Sequence, residues 1–430
     1  MLSNEEHHTQ APPYLTGAKK RKLLFSAGFS WLFDAMDVGM VSFIVAALVV
    51  EWNLTAREVG WVTAINSIGM VAGAAIAGSL ADRYGRKSIL LWTLLIFSLA
   101  SGLSALASGF AVLCVLRFIA GFGLGGELPV ASTLVSESVP SEDRGRYVVL
   151  LESFWAIGWI VSALISYFVI PEYGWRIAFA IGAVPALYAI LLRRTISDSP
   201  RFAARREKRP TFKMRFGAVW AKEHRRSTIT LWILWFMVVF SYYGIFLWLP
   251  TVMGMKGFTL VKSFEYVLII TLAQLPGYFT AAFLIEKTGR KFVLVTYLIL
   301  TAVSALGFGL SHTEGMLLTM GICLSFFNLG AWGAMYAYTP ENYPTSIRST
   351  GVGLAASFGR VGGVIGPYLV GELKTRNVPL SAIFTIFFAA ILIGAFAVWF
   401  LGEETKGTEP DRRWGEESKR GEGRLRATAR

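Results

Sequence analysis

The chain has 430 residues, 54% of them hydrophobic and 16% charged, with a formal net charge of +13. A soluble chain of this length carries nearer a quarter charged residues. Its apolar residues come in uncharged blocks such as 89–115 and 292–311, too long for barrel strands. The positive excess is local: 193–226 holds twelve Lys or Arg against Asp198, Glu207 and Glu223. That is the pattern of a basic loop between membrane spans, which argues against nucleic-acid binding.

A span needs about 20 apolar residues at a 1.5 Å rise. Blocks of that length predict an all-α membrane protein with twelve transmembrane helices. The first half reads as spans near 23–50, 58–81, 88–108, 110–138, 146–170 and 175–193. The second reads as 227–253, 263–285, 291–311, 315–339, 349–373 and 380–401. The expected organisation is an N-terminal segment 1–22, a six-helix bundle 23–193, a basic linker 194–226, a second bundle 227–401 and a disordered tail 402–430. Basic residues cluster in alternate loops, so both termini and the linker are expected on the cytoplasmic side of the cell's inner or plasma membrane. No cleavable leader is expected, and the first span directs insertion. Cys114 and Cys323 fall in apolar blocks and read as small core residues, with no metal or cofactor implied.

An internal repeat divides the chain. Asp82, Arg83, Gly85, Arg86 and Lys87 reappear 204 positions later as Glu286, Lys287, Gly289, Arg290 and Lys291. The same offset carries Glu137, Pro140 and Arg144 onto Glu341, Pro344 and Arg348, and Gly158 onto Gly362. One offset held over about 80 residues implies two halves of the same topology.

Several motifs carry a resemblance. Residues 78–87 read GSLADRYGRK, and Arg117 is followed by a run of small residues at 121–126. Residues 197–201 read SDSPR, 340–348 read PENYPTSIR, and 404–407 read ETKG. Together they resemble the major facilitator superfamily and its sugar-porter branch. Residues 31–40, 125–137, 150–156, 241–250 and 325–333 are similar to the bacterial niacin transporter group of that superfamily. The resemblance implies the major facilitator fold, alternating access and uptake of nicotinate or nicotinamide. It also implies a cytoplasmic gate built from Asp82, Arg83, Arg86 and Arg144 with Glu286, Arg290, Glu341 and Arg348. A monomer is expected, with the small-molecule substrate, protons and the lipid bilayer as its partners.

Ionisable groups within spans are costly, and each is a functional candidate. Those that break the repeat are the most informative. Asp34, Asp37, Arg117, Glu127 and Glu152 correspond to Val238, Ser241, Gly321, Ala331 and Ala356, while Arg360 corresponds to Ala156. Asp34 and Asp37 are spaced i, i+3 on one face of the first helix. Two carboxylates sharing a low-dielectric site do not both ionise cheaply, so one is expected to carry a proton. All four histidines lie outside the spans, which leaves carboxylates for proton coupling. The proton-coupling set expected is Asp34, Asp37, Arg117, Glu127 and Glu152. The competing reading has one Asp only neutralising Arg117, and Glu152 bridged to Arg144 or Arg146.

Arg360 lies near mid-depth with no acid close by in its own helix, and a guanidinium suits a carboxylate bidentately. It is expected to clamp the substrate carboxylate; the alternative is an internal pair with Asp34, Asp37 or Glu127. Trp155, Trp159, Tyr242, Tyr243, Phe327, Trp332 and Tyr336 are mid-depth aromatics able to stack on a pyridine ring. Trp155, Tyr242 and Phe327 are the ring contacts expected, with Gln274 and Asn328 near the ring nitrogen. Other cargoes of the same machine remain in view, namely another small aromatic acid, a sugar or an organic cation, as does a non-transporting sensor. The chain contains no nucleophile–base set, metal cluster or phosphate loop, so it is not read as an enzyme.

Overall fold

The computed structural model describes residues 17–406 except 85, 139–140, 196–211 and 345–346. Helices dominate it. The first half comprises α1 (Gly17–Glu51), α2 (Ala56–Tyr84), α3 (Arg86–Leu103), α4 (Phe110–Ser138), α5 (Ser141–Tyr173) and α6 (Trp175–Ile181 with Val184–Thr195). A short helix, Phe212–Val219, precedes the second half. That half comprises α7 (Arg225–Phe246 with Leu249–Met255), α8 (Leu260–Leu272 with Gln274–Thr288) and α9 (Arg290–Leu310). It is completed by α10 (Glu314–Glu341), α11 (Arg348–Thr375) and α12 (Leu380–Leu401). These are the twelve spans expected, although α6, α7 and α8 are each broken near the middle or the end. In α7 the break precedes Pro250, whose ring cannot donate to the preceding turn.

Among the described residues, eight helices are long and apolar enough on their own to cross a bilayer. Two glycines of α4 let it lie directly on α2. A Cβ on Gly121 would stand 2.0 Å from the Asn66 carbonyl, and one on Gly125 equally close to that of Met70. Backbones that approach this closely gain van der Waals contact where no hydrophobic drive exists between helices in lipid.

The halves meet through α1, α2 and α5 of the first and α7, α8, α10 and α11 of the second. On the face opposite the chain ends, α2 and α11 close tightly. A Cβ on Gly60 would lie 3.2 Å from the Gly371 Cα. The Trp61 and Tyr368 rings meet edge-on with centroids 5.0 Å apart. Arg57 Nε reaches Glu372 Oε2 at 3.1 Å, and Arg376 holds the other carboxylate oxygen. Deeper in, Phe43 packs on Phe264 with centroids 5.2 Å apart. The interface therefore narrows toward this face, and the polar residues described next lie below it.

Candidate substrate and proton site

The sequence-selected groups fall close to one level. Asp34, Tyr242, Gln274, Asn328 and Arg360 each lie within about two residues of the midpoint of their helix, or about 3 Å along its axis. Trp155 and Glu152 lie about two and five residues from the midpoint of α5. Charges this far from both ends of a span need a partner or a task.

Asp37 has a partner. Its Oδ2 is 3.2 Å from Arg117 Nη1, and both side chains are fully buried. Ser101 donates to the other Asp37 oxygen. Arg117 Nη2 donates to Ser104 Oγ at 2.8 Å, and its guanidinium lies 4.7 Å from the centre of the Phe179 ring. All five residues belong to the first half. The expectation of two carboxylates sharing one site is corrected here. Residues three apart on a helix point about 60° apart, and that angle sends Asp37 into the bundle toward Arg117 while Asp34 faces the second half.

Asp34 is buried and lies within electrostatic reach of Arg360 and Tyr243. Arg360 also interacts with Tyr243 and Tyr336. Its Nη1 donates across the interface to the Gly125 carbonyl at 3.3 Å. No carboxylate comes within 4.0 Å of it among the described residues. Glu152 is buried on α5, faces Tyr278 and Tyr336 of the second half, and has one oxygen without a hydrogen-bond partner among the described residues.

Aromatic side chains enclose these charges. Trp155 Nε1 donates to the Tyr242 hydroxyl at 2.9 Å, joining α5 to α7. Tyr242 packs edge-on against Trp159 and Trp332, with centroids 6.2 and 5.3 Å away. Trp332 stacks on Tyr336 one turn along α10, at 5.9 Å. Asn328 lies one turn before Trp332 on the same helix face. Gln274 opens the second segment of α8, and both of its amide atoms are buried without a partner among the described residues, as is Asn328 Oδ1. Phe327 is placed elsewhere: its ring packs against Tyr297 of α9 and its neighbour Phe326, at 5.4 and 5.0 Å. It stands about 140° around α10 from Trp332, so its expected ring contact is replaced by bundle packing.

Tyr243, Trp332 and Tyr336, counted from sequence among the mid-depth aromatics able to stack, join the set, as does Tyr278, which was not counted. A signal existed for Tyr278, which lies one turn after Gln274. The side chains of Glu127, Asp82, Arg83, Arg86, Arg144 and Arg146 lie outside the described residues.

The second copy of the repeated loop is described. Arg290 pairs with Glu286 at 3.1 Å and with Glu341 at 3.3 Å. Glu341 also accepts from Thr405, while Glu404 accepts from the backbone amides of Arg290 and Lys291 at 2.8 and 3.1 Å. A carboxylate there satisfies the free N–H groups that begin α9. Arg348 donates to the Tyr343 carbonyl at 3.3 Å. Every one of these partners lies in the second half, so this network ties α8, α9 and α10 to the segment after α12.

Two six-helix halves around a mid-depth polar and aromatic site define a multi-pass membrane transporter that opens its site to alternate sides. The model of the Major Facilitator Superfamily matches residues 27–277 and 266–428, and the chain belongs to that family. It is 58% identical to a Bacillus subtilis (strain 168) protein named as niacin/nicotinamide transporter NiaP, over 91% of this chain and 98% of that one. It is 44% identical to the niacin transporter NiaP of Acinetobacter baylyi, over 90% of this chain and 94% of that one. The xylose transporter XylE of E. coli, in a partially occluded inward-open conformation, superposes with a TM-score of 0.75 at 18% identity, over 91% of this chain and all of XylE.

Proposed function

We propose that the protein imports nicotinate by proton symport, with Arg360 binding the substrate carboxylate between the halves. The observation that carries this reading is the setting of Arg360. It is a mid-depth guanidinium bonded to a backbone carbonyl of the opposite half, without an ion-paired carboxylate among the described residues, and bordered by aromatic rings. Such a group gains most from an anion that brings its own charge. A pyridine ring fits against Trp155, Tyr242, Trp332 and Tyr336 by stacking or edge contact. Gln274 and Asn328 offer buried amides to the ring nitrogen, and a nitrogen-reading site discriminates against a ring that lacks it. Two relatives that cover this chain nearly end to end are named for niacin or for niacin and nicotinamide.

Asp34 and Glu152 are the proton carriers in this reading. Both face the second half, whereas Asp37 is held by Arg117. With substrate bound, the anion takes over the charge of Arg360 and Asp34 is free to accept a proton; the neutralised site then crosses between states at lower cost. The protein is monomeric, and both termini and the linker face the cytoplasm, which the clustered cations of Lys19 to Lys22, Lys287 and Lys291 support. The α2–α11 contact is then the external closure.

Proteoliposomes loaded at neutral pH and diluted into acid test this directly. Labelled nicotinate is expected to accumulate only with the inward proton gradient, and unlabelled nicotinate to compete better than benzoate or nicotinamide. Accumulation without a gradient overturns symport, and equal competition by benzoate overturns the ring-nitrogen assignment.

A further inference from the structure

A second cluster of charge lies away from the transport site. The turn at 220–224 leads from the linker helix into α7, whose first turn stands beside the last turn of α12. Lys222, Arg225, Arg226, Ile229 and Leu401 line an open cavity of about 320 Å3 there. Arg226 is committed to α12. Its Nε donates to the Leu401 carbonyl at 2.9 Å and its Nη2 to that of Phe400 at 3.3 Å, while Nη1 lies 3.7 Å from Glu403. Those contacts satisfy carbonyls that the end of a helix leaves open. The side chains of Lys222 and Arg225 have no such engagement among the described residues. Glu223 and Glu403 are the acids beside the cluster. Lys291, bonded to the Gly402 carbonyl at 3.0 Å, adds a further cation, so the balance is positive.

The remaining wall is apolar. Ile229 and Leu401 line the cavity itself. Beyond it α12 presents Phe396, Trp399 and Phe400 outward, the last 69% exposed. Such a surface on a span faces hydrocarbon. At 22 residues, α12 is about 33 Å long, so its last residue sits at headgroup level. The cavity thus has two uncommitted cations at the depth of lipid phosphate and an aliphatic floor continuous with the lipid-facing side.

We propose that this cavity binds an anionic phospholipid, the phosphate resting on Lys222 and Arg225 and an acyl chain running along Ile229 and Leu401. A soluble phosphate uses the cations and leaves the apolar wall in contact with water; a lipid covers both. Each cation near an anionic headgroup adds about 1 kcal/mol, which sets the size of the effect below.

The test uses the purified, delipidated full-length protein titrated with phosphatidylglycerol, phosphatidylcholine or inorganic phosphate, read by native mass spectrometry and melting temperature. Phosphatidylglycerol is expected to bind the native protein more tightly than phosphatidylcholine and to raise its melting temperature. The double substitution K222Q/R225Q is expected to weaken phosphatidylglycerol about 10- to 30-fold and leave phosphatidylcholine unchanged. K222R/R225K, which keeps both charges, is expected to bind like the native protein and separates charge loss from misfolding. Equal phosphatidylglycerol affinity in the native and Gln forms overturns the proposal. So does displacement of the lipid by inorganic phosphate at comparable concentration, which makes the cavity a free-anion site.

Discussion

The buried pair of Asp37 and Arg117 makes a prediction that separates architecture from coupling. Its nearest charged atoms are 3.2 Å apart, both side chains are fully buried, and Ser101, Ser104 and Phe179 fill the rest of the shell. Arg117→Met removes the one ion partner that Asp37 has among the described residues and leaves a buried carboxylate with one hydroxyl. Breaking such a pair from one side costs about 3–5 kcal/mol. Asp37→Leu leaves the guanidinium equally stranded and is expected to cost about the same. The double change Asp37→Leu with Arg117→Met removes both charges from the apolar bundle, and such replacements are neutral or stabilising by about 1–4 kcal/mol. Each single variant is therefore expected to melt well below the native protein, and the double variant to return close to it. Proton-driven nicotinate uptake is expected to recover in the double variant, because the proposed proton carriers, Asp34 and Glu152, face the second half. A double variant that melts like the native protein, exchanges substrate, yet no longer responds to a proton gradient refutes the reasoning and returns Asp37 to the coupling machinery.

Three further outcomes follow from the geometry. Arg360→Gln is expected to raise the KM for nicotinate by about 10- to 150-fold, the worth of a charge-assisted hydrogen bond at about 1.5–3 kcal/mol, with little effect on nicotinamide; uptake assays with both compounds decide it, and near-native nicotinate uptake sinks the clamp. Gly371→Val puts a Cβ 2.6 Å from the Ala56 carbonyl and 2.9 Å from the Gly60 Cα, so α2 and α11 can no longer close; spin labels at positions 57 and 372 are expected to move apart and uptake to fall, and an unchanged distance refutes the role of that contact. Burial pushes the Tyr343 phenol up to about 12, against the lowering effect of its 3.2 Å hydrogen bond with Thr228. Its raised value means that its contribution to stability is whole below about pH 10, the ordinary value, and is lost as pH rises through about 12. Tyr343→Phe is expected to flatten that alkaline loss in melting curves, and an unaltered profile counts against the assignment.

Much of this protein was legible in its residues. Spans announce themselves because each must keep about 20 residues apolar in lipid, and the 204-residue offset between Asp82 and Glu286 exposes the duplication. The same offset isolates Asp34, Asp37, Arg117, Glu127, Glu152 and Arg360 as charges present in one half alone. Asp37 and Arg117 meet within the first bundle, Asp34, Glu152 and Arg360 lie buried at the centre, and the Glu127 side chain is outside the described residues. Arg57 and Glu372 gave no such signal, since charges at helix ends look the same whether solvated or latched. What tertiary structure decided was partnership. Helical periodicity fixes which residues share a face, but the rotation of each helix about its axis is set by neighbours, as where Gly121 and Gly125 seat α4 on α2. That rotation delivers Asp37 to Arg117 and Asp34 to the opposite half, and turns Phe327 into its bundle while Trp332 and Tyr336 meet the site. Composition sets the depth of a charge; only the packed helices choose what it faces.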